Sequence, residues 1–136
     1  MARVMAEGIT TWPSEPVALI GTHCDDCGHT TFPTQQWCPA CSGRNLSDVE
    51  LPRTGTVITW TTQGFYPGPG YVTDAKGFVP FLMALVQLGD VLAVEGRLTE
   101  TDPANVAFGM QVELTMVPVG TGADGEDIVM FAFQPA

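Results

Sequence analysis

Cys24, Cys27, Cys38 and Cys41 stand in HCDDCGHTTFPTQQWCPACSG with the spacing C-x2-C-x10-C-x2-C. Each C-x2-C pair can form a tight knuckle whose two thiolates converge on one ion, and two knuckles on a short ribbon complete a tetrahedral site of four sulfurs. Gly28 and Gly43 follow the second thiol of each pair, where such a turn needs a positive φ or a close backbone approach. Disulfides are the alternative chemistry. The N-terminal sequence MARVMAEGITTWPSEP has one Arg and no apolar stretch of a secretory signal, which points to the cytoplasm, where thiols stay reduced. Zinc is favoured over iron because it needs nothing beyond four thiolates. A closed set of four leaves no position for water or substrate, so the expected ion is structural Zn2+.

Other groups capable of chemistry are few. His23 and His29 flank the first knuckle, but the cysteines already fill the coordination sphere, so both read as ribbon residues that are exposed or hydrogen-bonded to backbone. Asp25 and Asp26 read as solvated turn residues. Ser14, Ser42 and Ser47 lie in turn-like sequence without a positioned base, and the phosphate-binding glycine motifs are missing. No catalytic residue is expected. The unusual stretch is GFYPGPGYVTDAKGFVP, residues 64–80, where Phe65, Tyr66, Tyr71 and Phe78 sit among glycines and prolines. Aromatics on Pro-Gly turns offer apolar contact at low ordering cost, as a partner or substrate loop requires. Lys76, the only Lys in the chain, is the loop cation available to an anion.

The elements that position these groups are short strands. PVALIGTH, HTTFPT and NLSDVELP surround the knuckles, and TGTVITWTTQ, PFLMALVQL, DVLAVEGRL, MQVELTMVPV and DIVMFAFQP follow. In the first of these five, Val57, Thr59 and Thr61 are expected to share one face and Thr56, Ile58 and Trp60 the other. Leu88-Gly89-Asp90 signals a tight hairpin, residues 101–109 form the next connection, and GTGADGED the last. Long helical periodicity is absent, while 15 Gly and 11 Pro punctuate the chain. The expected fold is all-β: an N-terminal segment (1–16), a rubredoxin-like zinc ribbon (17–52) and a five-stranded, partly open Greek-key barrel of the OB type (53–136). Residues 2–7 are read as a turn of helix too short to stand alone.

A chain of 136 residues can bury one real core, roughly two thirds of its unfolded surface, and a second unit needs a staple such as a metal. Fifteen acidic against five basic residues give a formal charge of −10, with mean hydropathy +0.16. Nucleic acid and anionic membranes are bound through Lys and Arg, so both are disfavoured as partners, and no apolar run approaches the roughly 20 residues of a membrane span.

The ribbon CDDCGHTTFPTQQWCPAC, the junction LPRTGTVITWT, the runs PFLMALVQLGD and VLAVEGRL, the segment FGMQVELTMVPV and the terminal FAFQPA together resemble the zinc-ribbon plus OB-fold proteins catalogued as domain of unknown function 35. That resemblance implies an accessory subunit that binds a thiolase-fold enzyme and helps hold or channel its acyl-CoA substrate. The partner would be a thiolase, a hydroxymethylglutaryl-CoA synthase, a steroid side-chain aldolase or a hotdog-fold hydratase, and the catalytic residues would be the partner's. Coenzyme A carries phosphates that a −10 chain repels, so the partner is expected to supply their cations while this chain lines the acyl or pantetheine path. Two other readings are an OB-fold oligonucleotide-binding module, which needs stacking aromatics and a basic groove, and electron transfer by an iron-loaded ribbon.

Overall fold

The computed structural model describes residues 2–4, 8–64, 80–122 and 124–136. Their strands are β1 (Ala2–Val4), β2 (Ile20–Cys24), β3 (Thr30–Thr31), β4 (Leu46–Glu50), β5 (Thr54–Gln63), β6 (Phe81–Leu88), β7 (Leu92–Leu98), β8 (Gln111–Thr121) and β9 (Asp127–Pro135). A 3-10 turn at Pro103–Asn105 is the one helical element among the described residues. The fold is all-β.

Antiparallel β3-β2-β4 forms the small sheet of the ribbon. The second sheet runs β1-β9-β7-β6-β5-β8, and β8 pairs again with β9, so strands β5 to β9 close into a five-stranded OB barrel. The expectation of a partly open barrel is corrected here. Two narrow seams make the closure: β7 and β9 run parallel over Arg97↔Ala132 and Leu98↔Phe133, and β5 meets β8 over Thr54↔Glu113 to Thr56↔Gln111. β8 can serve two neighbours because its start is shared, with Val112 opposite both Gly55 and Pro135. The seams are short, so closure removes the ladder edge only where they pair, and the first half of β9 keeps a side open to a further strand.

The core follows the period of two. Leu82, Ala84, Val86 and Leu88 of β6 point inward with Val94 and Leu98 of β7, Val112 and Leu114 of β8, and Phe131 and Phe133 of β9. Gly96 makes room for the largest of them, since a Cβ there would lie 2.7 Å from the Phe133 ring. The hairpin expected at Leu88-Gly89-Asp90 joins β6 to β7, with Gly89 at φ +57° and Leu88 opposite Leu92. The connection over residues 101–109 contains the 3-10 turn, capped by Asp102 Oδ1 accepting from the Ala104 N–H at 2.9 Å, and tucks Val106 into the core.

Two further expectations change. In β5 the simple alternation breaks because Val57 faces Val86 and Thr59 faces Leu85, which leaves Ile58 as an extra, bulged residue. The phase then flips: Trp60 lies opposite Ala84 and packs on the core, while Thr59 and Thr61 turn outward opposite Leu85 and Met83. At the N-terminus, Ala2–Val4 forms a strand parallel to β9, with Ala2↔Asp127 and Val4↔Val129, and not a helical turn. The side of β9 facing away from β8 otherwise offers unpaired N–H and C=O groups there, and a three-residue strand satisfies them at less ordering cost than an isolated helix nucleus. Residues 5–7 lie outside the described residues.

Ribbon and barrel share a seam. Val17, Leu19 and Leu51 belong to the same buried cluster as the barrel residues, and Phe32 meets Phe131 edge to face at 5.8 Å. Arg53 clasps the junction: its Nε donates to the Val17 carbonyl at 2.7 Å and its Nη2 to the Leu114 carbonyl at 3.4 Å.

Candidate functional site

The ribbon brings all four cysteines together from opposite ends of a 17-residue separation. β2 delivers Cys24 at its end, and the turn after it returns Gly28 N–H to the Cys24 carbonyl at 2.8 Å, while Cys24 N–H donates to the His29 carbonyl at 2.8 Å. The second knuckle repeats the pattern: Ser42 N–H donates to the Cys38 carbonyl at 2.7 Å and Cys38 N–H to the Gly43 carbonyl at 2.8 Å. Gly28 takes φ +82° as its position suggests. In the second knuckle the left-handed residue is Ser42, at φ +62°, and Gly43 serves by close approach, its would-be Cβ lying 3.2 Å from Cys41 Sγ.

The four Sγ atoms lie within 4.8 Å of one another, with Cys24 to Cys41 at 3.7 Å and Cys27 to Cys38 at 3.6 Å. Four sulfurs about 2.3 Å from a tetrahedral zinc would be about 3.8 Å apart, whereas a disulfide needs about 2.05 Å. The cage therefore fits a tetrahedral ion and is not a pair of disulfides. Its electrostatics call for a cation. For Cys38, burial opposes ionisation, but the N–H groups of Cys41 and Ala40 and the neighbouring thiols bring the thiol down to about 7. At Cys41 the Gly43 N–H favours the thiolate, yet the facing Cys27 and Cys24 outweigh it and push the thiol up to about 12. At Cys27, the His29 N–H favours the thiolate, but Cys38 and burial outweigh it and raise the thiol. Four thiolates repel one another at this distance, and a divalent ion removes the conflict.

The flanking groups stand outside the cage. His23 is half-buried and its Nδ1 lies 3.2 Å from Thr30 Oγ1 across the β2–β3 pair; His29 is exposed. Asp25 and Asp26 are exposed but tied: Asp25 Oδ1 accepts from Ser47 Oγ and Asp26 Oδ1 from Asn45 Nδ2, each at 3.4 Å, linking the first knuckle to the strand leaving the second. Phe65, Tyr66, Tyr71, Lys76 and Phe78 lie outside the described residues.

Sequence reasoning missed the barrel's outer face. The run FLMALVQL is apolar on both sides: while Leu82, Ala84 and Val86 fill the core, Met83 and Leu85 floor an outer groove of about 280 Å3 walled by Thr59 and Thr61 of β5 and Glu95 of β7. An unbroken apolar run in place of alternation was the available signal. No basic track crosses this face among the described residues: Arg53 is spent on carbonyls, the Arg97 guanidinium sits 4.4 Å over the Phe81 ring, and Trp60 is turned toward the core. No helix among the described residues is long and apolar enough to cross a membrane.

Residues 18–47 match the family described as "ChsH2, rubredoxin-like zinc ribbon domain", and residues 48–117 match "ChsH2, C-terminal OB-fold domain". A DUF35 domain-containing scaffold protein of Pyrococcus furiosus is 33% identical over 122 residues, covering 89% of this chain and 85% of the relative. The benzoylsuccinyl-CoA thiolase subunit BbsA of Thauera aromatica is 26% identical over 116 residues, covering 85% of this chain and 75% of BbsA. Among solved structures, a chain of an Ltp2-ChsH2(DUF35) aldolase superposes with a TM-score of 0.63 at 25% identity, covering 87% of this chain and 84% of that one. The two matches follow one another in the order of the two sheets, and on that order and coverage the chain belongs to the DUF35 family of ChsH2-type zinc-ribbon and OB-fold proteins.

Proposed function

We propose that this chain is a non-catalytic accessory subunit of a thiolase- or aldolase-type enzyme acting on an acyl-CoA thioester. Zn2+ held by Cys24, Cys27, Cys38 and Cys41 is its structural staple. The observation that carries the reading is the likeness, across both ribbon and barrel, to the chain of an assembly named as an aldolase, alongside a relative named as a thiolase subunit. The chemistry of the described groups agrees with it: the thiols face one another, His23 faces Thr30, and the carboxylates of Asp25 and Asp26 bind the ribbon. When bound, zinc cross-links the two knuckles.

In this reading the partner supplies the reacting groups and the cations for the coenzyme's phosphates, since a chain of formal charge −10 repels them. Phe65, Tyr66, Tyr71, Lys76 and Phe78 are assigned, on their sequence alone, to the substrate path or partner contact. The cytoplasm is the proposed compartment.

Affinity purification of the tagged chain from its native host, with mass spectrometry of what elutes in fixed stoichiometry, tests the proposal. A thiolase-fold enzyme is expected; a hotdog-fold hydratase would redirect it to a different chemistry, and a monodisperse chain eluting alone would overturn it. Micromolar binding of coenzyme A to the isolated chain by calorimetry would overturn the division of labour. Tight binding of a single-stranded oligonucleotide would instead favour the nucleic-acid module.

A further inference from the structure

The barrel's outer face carries a row of apolar side chains that lie outside the buried core of the described residues. Phe108 is 72% exposed and Ile58 45%, the largest exposures of bulky apolar residues on the described barrel. Register places them side by side. Gly109 N–H donates to the Val57 carbonyl at 2.8 Å and Val57 N–H to the Met110 carbonyl at 2.9 Å, so the turn bearing Phe108 abuts the β5 bulge that holds Ile58. Across β5, Thr59 lies opposite Leu85, which with Met83 floors the groove. The row thus crosses from the β7–β8 connection over β5 to β6.

This surface is pre-organised. Besides the two bonds to Val57, Met110 N–H donates to the Ala107 carbonyl at 3.2 Å, and Gly109 holds φ +84°, so the Phe108 turn is pinned on both sides and little backbone freedom is left to lose on binding. A bulged strand presenting an aliphatic side chain beside a fixed aromatic has the anatomy of an interface anchor.

The charges around it are mostly acidic, with one cation beside the groove, Arg97, which lies opposite Met83 across the β6–β7 pair. Glu95 walls the groove, and the connection that presents Phe108 also carries Glu100 and Asp102. Arg53 and Arg97, the basic residues of the described barrel, are engaged with carbonyls and with the Phe81 ring. A second copy of this chain would bring the same acids and a formal charge of −10 against them.

We infer that the Phe108–Ile58–Leu85 row docks an apolar segment of the enzyme subunit that is flanked by Lys or Arg. This rests on the accessory-subunit reading above and names the surface that meets the partner. The basic flanks satisfy the acidic rim and speed encounter at low salt, while the apolar row, once desolvated, sets the dissociation rate.

The test places the photo-crosslinker p-benzoylphenylalanine at position 108 and, separately, at exposed Trp37 in the ribbon, in the full chain expressed in its host. The expected result is an adduct from position 108 to a Lys- or Arg-containing peptide of a thiolase-fold enzyme. An enzyme adduct from position 37 alone overturns this inference and leaves the accessory-subunit reading standing. An adduct from 108 to a second copy of this chain overturns it in favour of self-association. Enzyme adducts from neither position, with no enzyme copurifying, overturn both. As a second measurement, Phe108→Ala and Ile58→Asp are expected to reduce the copurifying enzyme by about tenfold or more, with metal content unchanged in both and the melting temperature unchanged in Phe108→Ala, whose side chain is 72% exposed. Wild-type recovery of the enzyme by both variants would count against the docking row.

Discussion

The ribbon and the barrel are both made of short β-strands joined by glycine turns, yet they are held together by different forces. In the barrel, the interior is hydrocarbon: Phe133, Leu82, Leu88, Leu114, Val57, Val86 and Val112 are fully buried. In the ribbon sheet, β3 and β4 bury no residue completely, and the side chains buried within the cysteine region are Thr22, Cys24 and Cys38. One unit closes on apolar area and the other on four sulfurs. The difference teaches where each would fail: the barrel by losing packing, the ribbon by losing its ion.

Metal removal is expected to have the largest effect. A strong chelator, or Cys38→Ser, removes a contribution on the order of 10 kcal/mol, so hydrogen exchange should show β2 to β4 losing protection while β6 to β9 keep theirs. Val17, Leu19 and Leu51 should remain protected with the barrel because they lie in its core. A ribbon that stays protected without metal would erase the contrast between the two regions.

Next comes the barrel's interior. Phe133→Ala is expected to cost about 3–5 kcal/mol in denaturant unfolding, by transfer and cavity terms together. The complementary change, Gly96→Ala, forces a Cβ to 2.7 Å from the same ring and should cost about 1–3 kcal/mol by overpacking. Neither should change the zinc content of the folded fraction; a parallel loss of metal would show that the ribbon depends on the barrel.

The seam is expected to yield less. Arg53→Met keeps the stem but removes the charged donors to the Val17 and Leu114 carbonyls, and should cost about 2 kcal/mol. Calorimetry should then show the ribbon and barrel transitions moving apart, where the wild type gives them closer together.

The smallest effect near neutrality is that of pH on the ribbon. Cys38, held down at about 7 from an ordinary value of 9.0, contributes stability that is complete above its unfolded value and lost as pH falls through about 7. Cys41, pushed up to about 12, must give up its proton to bind an ion, so zinc uptake releases protons and retention weakens on acidification. Zinc release followed by a chromophoric chelator should rise as pH drops from 8 to 6, with the barrel's protection unchanged; release independent of pH would break this part of the comparison.

The cysteine cage was legible because metal ligation imposes a spacing that few other chemistries share, and the knuckle turns follow locally from it. The five barrel strands were legible from turn residues and apolar runs. The bulge at Ile58 was not: TGTVITWT alternates as readily without it, and only the pairing with β6 shows that Val57 and Thr59 flank one extra residue. Phe108 was passed over for a related reason. The same signal that drew attention to residues 64–80, an aromatic beside glycine, is present at Phe108-Gly109, but its exposure depends on how that turn is pinned to β5.

By itself, then, the sequence determined the all-β class, the four-sulfur cage, the order of ribbon and barrel, and an acidic charge balance. These rest on composition, local turn chemistry and ligand spacing, which act over short stretches of chain. Only the tertiary structure decided that the barrel closes through a shared β8, that Ala2–Val4 adds to β9, that Arg53 and Phe32 join the two units, and that an apolar row faces outward across β5. Each of those depends on residues far apart in sequence meeting in one register, and a one-residue shift of register would turn every side chain of a strand to the opposite face.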